Sequence, residues 1–280
     1  MDKIRRNERM CAMMKMLSDA PNRIFTLSEF CELFGAAKST MSEDIDILQK
    51  VTALFDLGKV ETITGAAGGV KFRPSVSREK AEQLIRSLGD SLSGTHRVLP
   101  GGYLYFSDIL SDPATVKQMG VILATAYYAH HPDFVLTMET KGIPVAMATA
   151  EALGVPLVIA RRSSKVYEGS AVNINYVTGS SGRIETMSLS RRAIQGWNTS
   201  LIVDDFLKGG GTAQGMVDLM GEFGVEVVGS AFVMATAQPE KKRITGEKSL
   251  MVLDFPADQP GTALVTPAPW LTAEEANAAL

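Results

Sequence analysis

One stretch of this 280-residue chain, LIVDDFLKGGGTAQGMV at 201–217, constrains its fold and chemistry more than any other segment. An apolar run leads into two adjacent aspartates, three glycines end at a threonine, and a helical pattern follows. This order predicts a strand, a short loop and the N-terminus of a helix. Backbone N–H groups without intrahelical partners, together with the helix dipole, make such a junction an anion site, and glycine lets a ligand approach the backbone.

The acidic pair adds a second chemistry to this junction. Asp204 and Asp205 can accept hydrogen bonds from sugar hydroxyls, which a phosphate group alone does not supply. Two acidic residues, two apolar residues and a small loop, in this order, resemble the ribose-phosphate signature of type I phosphoribosyltransferases. The segment therefore predicts a site for a phosphorylated ribose.

Length and composition are typical of a soluble globular protein. The chain is long enough for one large or two ordinary domains, and no apolar run approaches the roughly 20 residues that span a bilayer. The N-terminus MDKIRRNERM lacks the apolar core of a signal peptide. We therefore expect a cytoplasmic protein without a membrane partner. The cysteines and histidines have no metal-ligand spacing, so we expect no metal site in the protein itself.

The beginning of the chain predicts a small helical domain. Residues 4–17 carry apolar side chains at helical spacing. The segment 26–29, TLSE, has the pattern of a capping box, and Phe25 and Phe30 are spaced as the hydrophobic staple around it. The short helix that follows is predicted to end at Gly35.

A third helix and a hairpin complete this domain. Ser39 or Thr40 is predicted to cap the third helix. Two strand-like pieces at 59–64 and 70–73 flank a glycine-rich tip. The buried stripe of the third helix is predicted to consist of Met41, Ile45, Leu48, Thr52 and Phe55.

Three helices followed by a hairpin predict a winged helix-turn-helix domain over 1–74. In such a domain the third helix enters the major groove of DNA, and its N-terminal residues meet base edges or phosphates. The candidates from the third helix, the first helix and the wing are Lys38, Ser39, Thr40, Ser42, Arg5, Arg6, Arg9, Lys71 and Arg73. The alternative is a generic three-helix domain with a solvated basic face, which the acidic neighbours Glu43, Asp44 and Asp46 favour.

The second predicted domain, 75–280, alternates strand-like and helical stretches. Apolar runs predict strands at 134–137, 156–160, 201–203 and 225–232. Periodic segments predict helices at 115–128, 143–153 and 212–223. This alternation predicts an α/β domain with a central parallel sheet, in which ligands bind at the carboxyl ends of the strands.

Two further segments of this domain fit a phosphorylated ligand. The loop 138–144, METKGIP, follows a predicted strand, with Gly142 suited to a tight turn and Pro144 to a first helical turn. Phosphoribosyltransferase-like domains hold diphosphate with a loop of this kind, which often has a basic residue and a glycine. Lys141 and Gly142 match this pattern. The polar segment 161–190 resembles the mobile hood strand pair of adenine and xanthine phosphoribosyltransferases, and an ordinary β-excursion is the alternative.

Taken together, the two halves resemble the purine operon repressor family of Gram-positive bacteria, which joins a winged helix to a phosphoribosyltransferase-like domain. The resemblance covers roughly residues 1–235 and weakens in the tail 256–280. The stretches that carry it are GAAKSTMSEDI at 35–45, GAAGGVKFRP at 65–74, LPGGYLYFSDIL at 99–110, TKGIP at 140–144, INYVTGSSGRIETMSL at 174–189 and DDFLKGGGT at 204–212. The implied fold is an N-terminal winged helix-turn-helix followed by a Rossmann-like type I phosphoribosyltransferase domain with a central parallel sheet.

The resemblance also implies a function. It implies a homodimeric regulator, expected to be a repressor, that occupies inverted-repeat operators in double-stranded DNA at purine genes. Its effector would be 5-phosphoribosyl 1-diphosphate, with Mg²⁺ as an optional companion and guanosine tetraphosphate as a competing ligand. The implied effector-binding residues are Asp204, Asp205, Phe206, Lys208, Gly209, Gly210, Gly211, Thr212, Thr140, Lys141, Gly142 and Tyr103. Whether the protein represses or activates stays open.

Lys208 favours a sensor over an enzyme. Active transferases commonly have Thr or Ser at this position, whereas a lysine favours tight holding of a polyanion. Catalysis requires that binding energy appear in the transition state and not in the ground state. We therefore predict a non-catalytic site without required cofactors. The alternative is a purine phosphoribosyltransferase of the adenine or xanthine type with an accessory domain.

Overall fold

The computed structural model describes residues 4–65, 68–163, 169–178 and 182–272. The chain divides into two compact units. The first comprises 1–77 with the short piece 151–154, and the second comprises 78–150 and 155–280. In the described part of the chain, no helix combines the length and the apolar character needed to cross a membrane.

The first unit consists of three helices and a two-stranded hairpin. Its elements are α1 (Arg6–Asp19), α2 (Leu27–Phe34), α3 (Lys38–Leu54), β1 (Lys59–Ile63) and β2 (Gly69–Arg73). The two strands pair antiparallel, with Lys59 opposite Arg73 and Ile63 opposite Gly69. Apolar side chains from all three helices and both strands form one core around Met13, Phe30 and Met41. The predicted order of helices and hairpin is confirmed.

Local chemistry at both ends of α2 follows the sequence prediction. The Thr26 hydroxyl accepts a hydrogen bond from the Glu29 N–H at 3.2 Å, and the Glu29 carboxylate accepts one from the Thr26 N–H. These hydrogen bonds to Thr26 lower the pKa of the exposed Glu29 carboxyl. The rings of Phe25 and Phe30 stack with centroids 5.5 Å apart. Gly35 ends the helix in the left-handed conformation at φ 59°.

Two predictions for α3 are wrong. The helix begins at Lys38 behind Ala37, which makes no side-chain cap, so neither Ser39 nor Thr40 is the N-cap. Ala37 is the N-cap because its carbonyl accepts the first hydrogen bond of the helix, from the Met41 N–H at 3.1 Å, so Ser39 and Thr40 lie inside the first turn. Phe55 is 59% exposed and does not belong to the buried stripe, because the helix ends at Leu54.

The second unit is built on a six-stranded sheet with the order β12-β11-β10-β9-β5-β6. The strands are β5 (Phe134–Met138), β6 (Leu157–Ala160), β9 (Thr199–Leu207), β10 (Glu226–Thr236), β11 (Lys248–Asp254) and β12 (Leu264–Pro267). All neighbouring strands run parallel except β12, which pairs antiparallel with β11 at the edge. The predicted central parallel sheet is therefore confirmed, and β11 and β12 are the strands that sequence reasoning missed.

Helices and two small hairpins complete this unit. They are α4 (Arg78–Leu92), β3 (Val98–Leu99), β4 (Tyr103–Leu104), α5 (Pro113–Thr125), α6 (Ile143–Leu153), β7 (Ala171–Val177), β8 (Ile184–Ser190), α7 (Gly211–Glu222) and α8 (Pro269–Thr272). Parallel strands are buried on both faces and read as nearly continuous apolar runs. All five residues of β5 are buried in this way. Because the carboxyl ends of parallel strands share one edge, the loops after β5 and β9 come together there.

We expect Thr26→Ala to lower the free energy of unfolding of the first unit by about 1 kcal/mol, because the substitution removes the hydroxyl acceptor of the capping box. Chemical denaturation monitored by circular dichroism measures this change. Ser28→Ala is the matched control, since Ser28 is an exposed hydroxyl residue two positions further along the same segment. An equal loss in both variants would contradict the capping role.

Candidate functional site

The carboxyl ends of the central strands open into a cavity of about 650 Å³. The glycine loop, residues 208–212, follows β9 on one side, and Lys141 from the loop after β5 faces the same space. Its lining includes most of the effector-binding residues predicted from sequence: Tyr103, Lys141, Asp204, Asp205, Phe206, Lys208, Gly209, Gly210, Gly211 and Thr212. Thr140 and Gly142 belong to the β5 loop but not to the lining.

The glycine loop leads directly from β9 into α7. Gly210 stands at the N-cap of α7 with φ 78° and makes no side-chain cap, so the first N–H groups of this helix are left to a ligand. A side chain at 210 would also meet the Arg243 backbone nitrogen at 3.1 Å. The Arg243 N–H in turn donates to the Gly209 carbonyl at 3.1 Å, which fixes the loop from behind. This geometry suits a phosphate group.

The acidic pair lies at the end of β9. Asp204 is 8% exposed, and its Oδ1 accepts the N–H of Asp205 at 2.9 Å. Burial, followed by repulsion from Asp205, raises the pKa of Asp204 well above its ordinary value. Burial also raises the pKa of Asp205, and the charge of Lys141 partly offsets this rise. The pair is therefore strained in the free protein, and a ligand that donates hydroxyl hydrogen bonds would relieve it.

Gly142 brings the β5 loop against this pair. A Cβ atom at 142 would lie 2.0 Å from Asp204 Oδ1 and 2.7 Å from Thr137 Oγ1. No side chain fits at these distances, so the glycine is required for the close approach of the loop to β9. The approach places Lys141, which is exposed, beside the carboxylate of Asp205.

Aromatic side chains also line the cavity. Phe106 and Phe206 lie with ring centroids 6.1 Å apart. Tyr103 is 65% exposed and Phe255 is 39% exposed, although both line the cavity. Sequence reasoning missed Phe106, Gln238, Asp254 and Phe255. The continuous apolar run 250–253 of β11, which ends at Asp254, is the signal that could have found two of them.

The predicted hood is an antiparallel hairpin of β7 and β8 that packs on α7. Tyr176 lies against Gly215, where a Cβ atom would meet the tyrosine Cβ at 2.9 Å. The Tyr176 hydroxyl donates to Glu185 at 3.0 Å, and burial raises the pKa of Tyr176 to about 12. Residues 164–168 and 179–181 of the hood lie outside the described residues. Closure of this hairpin over a ligand stays a prediction.

The predicted DNA-binding residues of the first unit fall into three groups. Lys38, Ser39 and Ser42 are exposed on the first turns of α3, and Thr40 is half-buried there. From the first helix region, Arg5 and Arg6 are exposed. In the wing, Lys71 and Arg73 are half-buried, and both pair with Glu61, at 3.7 and 3.1 Å respectively.

Arg9 requires a correction. Its side chain is only 9% exposed, and its Nε and Nη2 atoms donate to Asp44 Oδ2 at 3.0 and 2.8 Å. The guanidinium is therefore part of the core of this unit and not a phosphate ligand. Asp44 is correspondingly buried and neutralised, so it no longer weighs against DNA binding. Glu43 and Asp46 remain exposed on α3.

Comparison with known proteins follows this division of the chain. Residues 5–74 match the family model for the N-terminal region of the bacterial purine repressor, and residues 107–259 match that for the phosphoribosyl transferase domain. The chain is 45% identical over 250 residues to a probable purine biosynthesis transcriptional regulator PurR of Streptococcus pneumoniae, covering 89% of this chain and 91% of that protein. This chain belongs to the PurR family of purine biosynthesis transcriptional regulators.

Family members carry different regulatory names. The Bacillus subtilis PurR is named a repressor and is 40% identical over 251 residues, covering 90% of this chain and 88% of that protein. The Lactococcus lactis PurR is named an activator and is 39% identical over 251 residues, covering 90% of this chain and 93% of that protein. An adenine phosphoribosyltransferase structure from Rhodothermus marinus shares the fold of the second unit, with a TM-score of 0.52 at 20% identity over 62% of this chain and 99% of that chain.

We expect Gly142→Ala to destabilise the second unit of this PurR-family chain by about 1–3 kcal/mol, as overpacking does elsewhere. The added methyl group would clash with Asp204 and force the β5 loop away from it. Gly221→Ala is the control, because a Cβ at this helical position meets nothing within 4 Å and should stabilise the helix by up to about 1 kcal/mol. Denaturant unfolding curves of both variants test the expectation, which fails if Gly142→Ala is neutral.

We also expect Asp204→Asn to make the unliganded protein more stable than the wild type at neutral pH. Because burial and Asp205 raise the pKa of Asp204, stability present below the ordinary pKa of 3.8 is lost as the pH rises through the raised value. Asparagine does not ionise, so the variant does not lose this stability as the pH rises. The difference in stability between the variant and the wild type should therefore shrink toward pH 4. Thermal unfolding across this pH range measures it.

The matched control for that comparison is Asp218→Asn, which removes one exposed carboxylate from α7. A melting-temperature gain that is the same at every pH, or equal in both variants, would argue against a strained acidic pair.

Proposed function

We propose that this chain is a DNA-binding transcriptional regulator of purine biosynthesis genes whose operator affinity is set by a ligand in the cavity of the second unit. The ligand that we propose is 5-phosphoribosyl 1-diphosphate, with guanosine tetraphosphate as a competitor. The proposal depends above all on one observation: an acidic pair, a glycine loop and Lys141 line the same cavity in a chain whose relatives are named regulators.

Each part of the proposed effector has a counterpart in the site. Asp204 and Asp205 would accept hydrogen bonds from the ribose hydroxyls, which offsets their mutual repulsion. The uncapped N-terminus of α7 and the glycine loop would bind the 5′-phosphate. Lys141, with Thr140 and Gly142, would hold the diphosphate, accompanied by Mg²⁺ that is bound mainly by ligand oxygens. Tyr103 and Phe206 would contact the purine of a competing nucleotide.

The proposed output is DNA occupancy and not a chemical reaction. Lys208, an exposed cation in the glycine loop, favours a polyanion already in the ground state, which does not accelerate a reaction. The alternative function, a purine phosphoribosyltransferase, is favoured by the fold that the second unit shares with such enzymes. Release of pyrophosphate from 5-phosphoribosyl 1-diphosphate after addition of adenine, guanine or xanthine would support the enzyme.

The proposed DNA partner is an inverted-repeat operator bound by a homodimer. Such a partner matches a two-fold symmetric protein, in which each protomer presents one recognition helix to one half-site. The exposed first turns of α3, with Lys38, Ser39 and Ser42, would meet the major groove. A regulator of chromosomal genes would act in the cytoplasm. Relatives with the names of repressor and of activator both exist, so the direction of regulation is not part of the proposal.

The effector half of the proposal predicts that 5-phosphoribosyl 1-diphosphate changes the affinity for operator DNA. Fluorescence anisotropy with a labelled purine-gene promoter fragment, with and without the ligand and Mg²⁺, measures this change. Asp205→Ala should abolish the ligand response while leaving DNA binding intact, since Asp205 lines the cavity. The exposed Asp218→Ala on α7 should respond as the wild type does. Unchanged operator affinity of the wild type at millimolar ligand would refute the effector assignment.

The DNA half predicts that Lys38→Ala weakens operator binding. It also predicts that the slope of log affinity against log salt concentration falls by about one, the effect of losing one phosphate contact. Lys50→Ala is the matched control, because it removes an equally exposed lysine from the other end of α3. Salt titrations of both variants by anisotropy separate a local contact from a general loss of positive charge. The same loss in both variants would favour the solvated basic face over a DNA interface.

A further inference from the structure

A buried carboxylate links α1 and α3 in the first unit. Asp44 has no exposed surface, and each of its oxygens accepts hydrogen bonds from arginine. Arg9 donates to Oδ2 through Nε and Nη2, at 3.0 and 2.8 Å, and Arg6 donates to Oδ1 through Nε at 2.8 Å. A carboxylate is stable in such a place only when its charge and its lone pairs are both matched.

Arg9 is the buried partner of this carboxylate. Its guanidinium is nearly as buried as Asp44, and its remaining terminal nitrogen donates to the Ile4 carbonyl at 3.1 Å. This residue therefore ties the start of α1 to the middle of α3 and neutralises the buried carboxylate. Arg9 and Asp44 together carry no net charge.

Arg6 is the second guanidinium on the same carboxylate, so Arg6, Arg9 and Asp44 together carry one positive charge, which Glu43 balances. Its side chain is 49% exposed. Because the Nε atom is occupied by Asp44, the flat guanidinium is held in one orientation while its terminal nitrogens remain near the surface. One of them contacts the exposed carboxylate of Glu43 at 3.4 Å.

We propose that Asp44 is a positioning residue for DNA binding, which fixes the exposed edge of Arg6 for a backbone phosphate. The inference rests on the proposed function of the first unit. It assigns a different role to each of three neighbouring charges. Arg9 links α1 to α3, Asp44 orients the Arg6 guanidinium, and Arg6 contacts the phosphate. The planar fork of an arginine already held by its Nε can meet two phosphate oxygens with little further loss of side-chain freedom. Glu43 would occupy that edge until DNA displaces it.

Arg6→Lys provides the sharpest test, because it keeps the positive charge and removes the anchored fork. A lysine has one ammonium group, which can pair with Asp44 or with a phosphate but cannot hold the geometry for both. We expect Arg6→Lys and Arg6→Ala to weaken operator binding alike, by about tenfold, the effect of losing one charged hydrogen bond. If charge alone mattered, Arg6→Lys would bind like the wild type, and that result would overturn the inference.

A pair of carboxylate variants gives an independent test, because positioning and simple electrostatics predict opposite changes in the DNA affinity of one of them. Asp44→Asn and Asp46→Asn each remove one negative charge from α3, so electrostatics alone predicts tighter DNA binding for both. Positioning predicts that Asp44→Asn binds more weakly, whereas the exposed Asp46→Asn binds as tightly as the wild type or more so. If both variants tighten binding, Asp44 has no positioning role.

The measurements are anisotropy titrations of full-length protein on operator and on random-sequence DNA, with melting curves for each variant. Should Asp44→Asn fail to fold, Arg6→Lys still decides, because Arg6 is half-exposed and the buried Arg9 remains paired with Asp44 in that variant. A wild-type protein that does not prefer the operator over random DNA would refute the proposed function itself. A wild-type protein that prefers it, with Arg6→Lys unchanged, refutes only the role of Asp44.

Discussion

The contact between the Gly142 backbone and the Asp204 carboxylate is the constraint on which the rest of the site depends. The loop after β5 and the strand β9, more than sixty residues apart in the chain, approach there without room for a single additional carbon atom. Because the loop leaves β5, which is parallel and adjacent to β9, the sheet brings the two to one edge, and glycine lets them touch. The cation of Lys141 and the two aspartates therefore face the same cavity. A bulkier residue at 142 would separate the elements from which the site is built.

Much of this arrangement could be predicted from the sequence, because the determining signals are local. The strand, glycine loop and helix at 201–217 follow from an apolar run and from the conformational freedom of glycine. The capping box at Thr26 and Glu29 likewise sets the beginning of α2 within a few residues. What the local signals missed is long-range: Phe106 and Phe255 reach the cavity through the chain fold, and the approach of Gly142 to Asp204 depends on strand order.

The burial of charged residues also depends on long-range contacts that local sequence signals do not reveal. Arg9 and Arg6 are three residues apart and look alike in the sequence, yet one is buried and the other is half-exposed. Both donate hydrogen bonds to Asp44, which the sequence alone suggests to be an unfavourable charge on a DNA-binding face. The structure instead makes this aspartate an internal partner. Whether a charge repels a ligand or organises a neighbour depends on its burial, and burial is a property of the fold.

The antiparallel strand β12 gives the end of the chain a role that its composition does not suggest. Its backbone covers β11, and the N–H of Val265 donates to Ser93 Oγ at 2.9 Å next to α4. Removal of the residues after Pro256 would leave β11 as an uncovered edge, ready to pair with the same strand of another molecule. Asp254 and Phe255 lie at the end of that strand and line the cavity. Versions of this protein that lack β12 would therefore be prone both to aggregation and to damage of the binding site. A purification tag should follow β12 and not replace it.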